Sequence, residues 1–150
     1  MHHEESIVIN RPPEEVWAFM TDWFNSPRLR PGFLGWRQTS PGPFGVGSTM
    51  QGRMVILGFE TRVNARFVEW DPPHSWVITI TGRPFRTLID RVTLETIGDA
   101  TRIVRSSEFE PHPALKLLLW PLYPTLFRRQ QRAVFENAKR LLESRTRAGP

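Results

Sequence analysis

The chain has 150 residues, a formal net charge of +5 and no cysteine. The length fits one domain, so we expect a single domain over residues 1–150. The lack of cysteine excludes a disulfide scaffold, a thiol nucleophile and cysteine-bound zinc or iron. No apolar run reaches the roughly 18 residues of a membrane-spanning helix. Residues 1–10 lack the pattern of a signal peptide, so we expect a cytoplasmic protein.

The basic residues are nearly all arginines, because Lys116 and Lys139 are the only lysines. A basic chain can bind nucleic acid or an anionic membrane. Here the arginines are spread along the sequence, with one dense group at Arg128, Arg129 and Arg132. This distribution favours solvated helix surfaces, so nucleic-acid binding is not the function we expect.

The chain begins with a predicted strand at residues 4–10. The two prolines at 12–13, followed by two acids, predict the start of a helix that continues to about Thr21. Proline suits the first turn of a helix, and acidic side chains complement the helix dipole there. A second helical turn over residues 22–26 is expected to end before Pro27.

Residues 33–110 predict about six strands, because turn signals rich in glycine, proline and aspartate recur between short apolar segments. Strands this close, without helices between them, must be antiparallel. Residues 113–145 predict a long amphipathic helix whose beginning is interrupted by Pro121 and Pro124. The order predicts an α+β fold, in which a curved antiparallel sheet of about seven strands packs around the C-terminal helix.

The turn at residues 98–99 predicts the register of the last two strands. One face of this hairpin is apolar at alternate positions, and a slip of one residue would expose it to solvent. The inner face then has these cross-strand pairs: Leu94 with Ile103, Val92 with Arg105, Asp90 with Ser107, and Leu88 with Phe109. In the two preceding strands the inner face is predicted to carry Phe59, Val63, Phe67, Trp76, Ile78 and Ile80.

Asp90, Arg105 and Ser107 are the polar residues of this apolar face. An isolated buried charge would cost several kcal/mol, so the carboxylate and the guanidinium should pair. A structural ion pair is one interpretation. The other is a polar anchor in an apolar pocket, where Arg105 would bind a ligand carbonyl, enolate or carboxylate and Asp90 would orient the ligand or act as a base.

Other candidate chemistry is sparse. His2 and His3 are terminal and expected to be disordered, whereas His74 and His112 fall beside prolines in predicted turns. No two histidines have metal-ligand spacing with a carboxylate nearby, so we expect no metal site. Residues 42–47 have proline and bulky residues where a phosphate loop needs free N–H groups, so we expect no nucleotide cofactor.

The order of elements, with several short motifs, resembles the START-like superfamily, also called polyketide cyclase/dehydrase-like or SRPBCC. The matching segments are INRPPEEVW at 9–17, TDW at 21–23, GVGS at 45–48, FVEWDPP at 67–73, ATRIV at 100–104 and NAKRLLE at 137–143. The resemblance covers nearly the whole chain and implies the helix-grip fold. It also implies a hydrophobic cavity between the sheet and the long helix, in which such proteins bind lipids, sterols or polyketides.

Residues 114–127 are unusually apolar and are followed directly by arginines. Three interpretations remain open. The segment is the lid and upper wall of the cavity, or it is ordinary core. Alternatively, it touches a membrane transiently, with Trp120 and Tyr123 at the interface and the arginines on lipid phosphates.

We therefore expect a protein that binds a small hydrophobic ligand, such as a lipid or polyketide, without a cofactor. The expected ligand-binding residues are Phe59, Val63, Phe67, Trp76, Ile78, Leu88, Asp90, Val92, Arg105, Ser107, Phe109, Trp120, Tyr123 and Phe127. One alternative is a polyketide cyclase or aromatase in which Asp90 and Arg105 are the catalytic candidates. Another is an interaction module that binds RNA, the ribosome or a membrane through its arginines.

Overall fold

The computed structural model describes residues 2–30, 32–56, 58–82, 85–119 and 121–145. Within these residues, no helix is long and apolar enough to cross a membrane. The elements in chain order are β1 (His2–Ile9), α1 (Pro13–Met20), a 3-10 turn (Trp23–Asn25), α2 (Ser26–Leu29), β2 (Phe33–Gln38), β3 (Thr49–Ile56), β4 (Phe59–Asp71), β5 (Ser75–Gly82), β6 (Phe85–Ile97), β7 (Ala100–Pro111), α3 (Pro113–Leu119) and α4 (Tyr123–Ser144).

The seven strands form one antiparallel sheet in the order β1-β7-β6-β5-β4-β3-β2. Strands β2 to β7 are joined as successive hairpins, and β1 is added beside β7. Helix α4 contacts β1, α1 and α2, and it buries one face in the core through Phe127, Val134, Phe135, Ala138 and Leu142. The predicted α+β architecture with a long C-terminal helix is confirmed.

The register predicted for β6 and β7 is also confirmed. Ile97 pairs with Ala100 across the turn, and Asp90 pairs with Ser107. Gly98 has a φ of +57°, a left-handed conformation that glycine adopts without steric cost. The hairpin therefore directs Asp90 and Arg105 to the core face, where both are buried.

Two local expectations were wrong. His2 and His3 are ordered in β1, because the free edge of β7 gives their backbone groups a partner: they pair with Glu108 and Ser107. Pro27 does not end a helix; it lies in the first turn of α2, where a proline lacks only a hydrogen bond that has no helical acceptor.

Strand β4 contains a bulge that simple alternation does not predict. The pairing of β4 with β5 shifts between Phe67 and Glu69, so that Val68 is half exposed on the outer side. The rings of Phe67 and Trp70 lie 5.3 Å apart in an edge-to-face contact. The bulge thus brings together two aromatic residues whose spacing would otherwise separate them.

Arg11 joins the beginning of α1 to the end of α4. Its guanidinium is buried and donates hydrogen bonds to the backbone oxygens of Asn10 (2.7 Å), Glu143 (3.1 Å) and Arg145 (2.7 Å). The carbonyls at a helix C-terminus lack helical partners and carry the negative end of the dipole. A cation at this position satisfies them and holds the long helix against the sheet.

We expect Arg11→Leu to lower the free energy of unfolding by about 2 kcal/mol, because hydrogen bonds from a charged donor contribute about 1.5–3 kcal/mol. Urea denaturation measures the change. Arg102→Leu, at an exposed position on β7, is the matched control and should change stability little. Equal stabilities of the two variants would contradict this role for Arg11.

Candidate functional site

A chamber of about 90 Å³ lies between the inner face of the sheet and the helices α2 and α4. Its wall is mostly apolar and contains six aromatic residues. The lining residues are Met20, Trp23, Ser26, Leu29, Arg30, Phe33, Trp36, Phe67, Trp76, Ile78, Ile80, Asp90, Val92, Arg105, Val134 and Phe135.

Aromatic rings form the side of the chamber near β2. Phe33 and Trp36 lie 5.0 Å apart, and Trp23 lies 5.6 Å from Phe67. Gly52 on β3 leaves room for this packing, because a Cβ atom there would lie 2.8 Å from the Trp36 ring. The tryptophan ring therefore covers the backbone of the adjacent strand, and its position depends on the glycine opposite.

A polar triad on β6 and β7 consists of Asp90 and Arg105, which line the chamber, and Ser107 beside them. Arg105 Nη2 donates to Asp90 Oδ2 at 2.5 Å, and Ser107 Oγ donates to Asp90 Oδ1. Asp90 is only 1% exposed, so its charge depends on these two donors. Both carboxylate oxygens therefore accept a hydrogen bond, so the Asp90 carboxylate is satisfied within an apolar wall.

Strand β1 extends this polar cluster. Its register places Glu5 opposite Arg105 and His3 opposite Ser107. The His3 Nε2 and Glu5 Oε2 atoms lie 3.7 Å apart, and both side chains are nearly buried. Within the described part of the chain, four buried polar atoms of this region lack a hydrogen-bond partner: His3 Nε2, Glu5 Oε1, Arg105 Nε and Gln131 Oε1.

Arg30 is a second guanidinium on the chamber wall. It follows α2, and its backbone N–H donates to the oxygen of Ser26 at 3.0 Å. The amide of Asn137 on α4 donates to the Leu29 oxygen at 2.9 Å, which ties the end of α2 to α4. Burial, together with the nearby positive charge of Arg105, lowers the pKa of Arg30 to about 10, against the opposing effect of Asp90.

A surface groove of about 550 Å³ adjoins the chamber. Trp23 and Trp36 border both spaces. The groove also carries three exposed arginines, Arg37, Arg53 and Arg62. The two tryptophans therefore stand between the apolar chamber and a basic outer surface.

The predicted ligand-binding residues fall into separate groups. Those that line the chamber are Phe67, Trp76, Ile78, Asp90, Val92 and Arg105. Others are buried but are not among its lining residues: Val63, Leu88, Ser107, Phe109 and Phe127. The expected inner-face position of Phe59 is wrong, since this side chain is 76% exposed; it begins β4, beyond the buried part of that strand. Trp120 and the side chain of Tyr123 lie outside the described residues.

The apolar segment 114–127 does not behave as ordinary core. Leu117 is 88% exposed and Leu118 is 71% exposed, and Leu122 and Leu126 are also exposed. Among the described residues of the segment, only Phe127, at its end, belongs to the buried cluster. No described residue of the segment lines the chamber, so the expected cavity wall is formed instead by α2, β2 and the middle of α4.

Sequence analysis missed most residues that close the chamber. They include Trp23, Leu29, Arg30, Phe33, Trp36 and Phe135. Only tertiary packing brings the short helix α2 and the edge strand β2 over the inner face. Among the described residues, no group of three histidine or acidic side chains could hold a metal ion.

We expect Glu5→Gln to raise the melting temperature near neutral pH. Burial raises the pKa of Glu5 above its ordinary value of 4.5, although Arg105 and His3 oppose this shift. The folded state therefore binds the Glu5 proton more tightly than the unfolded state, so Glu5 costs stability as the pH rises through its folded-state pKa. The glutamine variant removes this loss.

Thermal unfolding across a pH series tests the assignment. The gain of Glu5→Gln over the natural chain should shrink toward zero as the pH falls below 4.5, the ordinary pKa of the group. Glu4→Gln, at the exposed neighbouring position of β1, should show no comparable gain. A melting temperature that falls at neutral pH in Glu5→Gln would show that the ionised carboxylate stabilises the fold.

Comparison with known proteins gives distant relatives in sequence and a common fold. An uncharacterised protein of Mycobacterium tuberculosis H37Rv is 28% identical over 71 residues, which is 47% of this chain and 50% of that protein. The corresponding protein of strain CDC 1551 gives the same values. The chain spans about half the length of the curated relatives it matches.

Solved structures match over nearly the whole chain. The Zhui aromatase/cyclase from Streptomyces sp. R1128 has a TM-score of 0.81 at 15% identity, with 99% of this chain and 96% of that chain covered. A protein from Thermus thermophilus has a TM-score of 0.79 at 18% identity, with 96% and 98% covered. A START superfamily protein from Mycobacterium smegmatis has a TM-score of 0.73 at 14% identity, with 93% and 98% covered.

These structural matches show a common fold, and they agree with the resemblance to the START-like superfamily seen in the sequence. A family model described as polyketide cyclase / dehydrase and lipid transport matches residues 1–143. The chain therefore belongs to the polyketide cyclase/dehydrase and lipid transport family.

Proposed function

We propose that this protein binds a small hydrophobic molecule in the chamber between the sheet and helices α2 and α4. The observation that carries the proposal is an aromatic-rich chamber with a buried ion pair, Asp90–Arg105, in its wall. Small-molecule sites are mostly apolar and contain a few fixed polar groups that orient the ligand. The family description, which includes lipid transport, supports the same class of function.

The size of the chamber constrains how a ligand is held. Its 90 Å³ is less than the roughly 150 Å³ of an engineered cavity that binds benzene. A typical pocket for a drug-sized ligand has roughly 300–1,000 Å³. The chamber thus fits one end of a ligand, and the remainder lies in the adjoining groove of about 550 Å³. Movement of Trp23 or Trp36, which border both spaces, would join them.

The polar triad is suited to orientation of a ligand. Asp90 fixes the guanidinium of Arg105, whose Nε atom is buried without a hydrogen-bond partner among the described residues. A carbonyl or hydroxyl oxygen of the ligand would satisfy such a donor. Because Arg105 already has a carboxylate partner, the triad can accept a neutral polar group without leaving a charge unpaired.

A cyclase function is the alternative within this family, and the solved structures that share the fold include an aromatase/cyclase. It would need Asp90 as an acid or base. Both oxygens of that carboxylate already accept hydrogen bonds, from Arg105 and Ser107. These contacts favour the role of an anchor over that of a proton carrier, so binding is our primary proposal.

We expect Val92→Phe to abolish ligand binding while the fold is retained. Val92 is buried on the chamber wall, and a phenyl ring there would occupy the small space available. Fluorescence of the neutral apolar dye N-phenylnaphthylamine measures binding. The control is Val68→Phe, since Val68 is 46% exposed on the outer side of β4.

The proposal requires the natural chain and Val68→Phe to bind the dye with similar affinity. Binding should fall at least about tenfold in Val92→Phe, because a filled pocket excludes the ligand. Circular dichroism verifies that both variants are folded. Dye binding that is unchanged in a folded Val92→Phe variant would show that the chamber is not the binding site.

We propose as a second function a transient contact with an anionic membrane surface. Leu117, Leu118 and Leu122 are exposed, and monomeric proteins rarely expose such a contiguous apolar patch without a partner. Exposed cations lie along the same segment at Lys116, Arg128 and Arg129. Apolar residues flanked by cations match a bilayer that carries anionic headgroups.

The double variant Leu117→Ser and Leu118→Ser tests this contact. It should weaken binding to vesicles of phosphatidylglycerol and phosphatidylcholine at least about tenfold, because two leucines would no longer enter the bilayer. Vesicle sedimentation measures the binding. Val8→Ser, at an exposed position on β1, is the matched control. Equal sedimentation of the two variants, or of the natural chain on pure phosphatidylcholine, would contradict the proposal.

A further inference from the structure

The charges on the chamber wall do not balance. Arg30, Arg105 and Asp90 are the charged residues among its lining residues. Asp90 already pairs with Arg105 and accepts a hydrogen bond from Ser107. Among the lining residues, two guanidinium groups thus share a single carboxylate, which leaves one excess positive charge. Glu5, opposite Arg105 on β1, is a neighbouring carboxylate that is not among these lining residues.

Arg30 is the charged residue of the chamber wall that has no ion pair among the described residues, although the charge of Asp90 still acts on it. Among the described residues, no acidic side chain lies within ion-pair distance (4 Å) of its guanidinium. The aromatic ring of Phe33 lies near this guanidinium, with 6.0 Å between the ring centroid and Cζ of Arg30. Other described arginines without an ion pair, such as Arg37, Arg62 and Arg66, are exposed, whereas Arg30 is only partly exposed and lines the chamber.

An unpaired charge against an apolar wall lowers the stability of the folded protein. Burial and the like charge of Arg105 lower the pKa of Arg30 to about 10, yet the group still carries its proton at neutral pH. Arg30 is also held firmly, since α2 is tied to α4 through Asn137 and Leu29. A protein retains an unpaired charge of this kind where the charge contacts a ligand, because functional sites often contain groups that destabilise the free protein.

The groove beside the chamber has the same sign of charge. Arg37, Arg53 and Arg62 line it. Among the described residues, Arg53 has an ion pair, with Glu60 at 3.3 Å, whereas Arg37 and Arg62 have none. A cleft lined by one sign of charge raises the local concentration of oppositely charged ligands. The surface that leads to Trp23 and Trp36 therefore attracts anions.

We propose that the ligand is an amphiphilic anion, an apolar molecule whose single acidic group pairs with Arg30 inside the chamber. This inference rests on the proposed function and adds the chemical class of the ligand. The guanidinium of Arg30 would donate two parallel hydrogen bonds to a carboxylate, an arrangement that an alcohol or ester of the same length cannot provide. Arg105, already paired with Asp90, would contact uncharged parts of the molecule.

Three probes of equal chain length separate charge from apolar contact: octanoate, octanol and octylamine. Isothermal titration calorimetry near neutral pH should show that octanoate binds at least about tenfold more tightly than octanol, because a hydrogen bond to a charged group contributes about 1.5–3 kcal/mol. Octylamine should bind more weakly than octanol, since its charge repels Arg30.

Three variants assign the preference to one residue. Arg30→Gln should weaken octanoate binding about tenfold and leave octanol binding unchanged within about twofold. Arg30→Lys should keep only part of the preference, because the positive charge remains but the two parallel hydrogen bonds are lost. Arg66→Gln removes one charge from an exposed position on β4 and should have no effect on either ligand.

A stability measurement distinguishes ligand binding from a structural role. Arg30→Met, which removes the charge and keeps an apolar side chain, should have a melting temperature equal to or above that of the natural chain without ligand. A structural role would give a lower melting temperature instead. A lower melting temperature of Arg30→Met, together with selectivity between octanoate and octanol that is unaltered in this variant, would overturn the inference.

The outcomes separate this inference from the function on which it rests. Octanol that binds as tightly as octanoate in the natural chain would overturn the anionic class and leave hydrophobic binding intact. Retained selectivity in Arg30→Gln would overturn the role of Arg30. Failure of all three probes and of the neutral dye to bind would contradict the proposed function itself, and the inference with it.

Discussion

The burial of the Asp90 carboxylate and the Arg105 guanidinium on the apolar face of the sheet is the constraint on which the site depends. The β6–β7 register places Asp90 beside Arg105 and Ser107, and both of these residues donate a hydrogen bond to its carboxylate. Removal of one partner of a buried pair leaves an uncompensated charge, which costs about 3–5 kcal/mol. The register of one hairpin therefore determines both the integrity of the core and the polarity of the chamber.

Polar groups near that triad lack hydrogen-bond or ion-pair partners. Glu5 and His3 lie beside it on β1 with buried atoms that lack hydrogen-bond partners, and Arg30 faces the chamber without an ion pair among the described residues. Native interiors rarely leave such groups unpaired without a functional reason. The protein is thus less stable at this end of the sheet than its apolar packing would allow. A bound ligand that supplied the missing partners would stabilise the folded state.

The chamber with its groove and the exposed leucines are separate features of the molecule. The sheet and α4 provide a rigid wall, whereas Trp23 and Trp36 stand between the chamber and the basic groove. Under the proposed function, a ligand larger than the small chamber would extend into the larger groove. Leucines exposed on α3 provide a separate surface, because no described residue of α3 lines the chamber.

Sequence alone determined the element order, the antiparallel sheet, the β6–β7 register and the pairing of Asp90 with Arg105. Period-two alternation and a glycine turn specify which side chains share a face, and a buried charge requires a partner. Tertiary structure decided which of these residues line a cavity. Phe59 falls outside the core because β4 extends beyond it, and Arg30 enters the wall because α2 packs over β2 and against α4. Local patterns do not encode these distant contacts, since they depend on how separate elements meet in space.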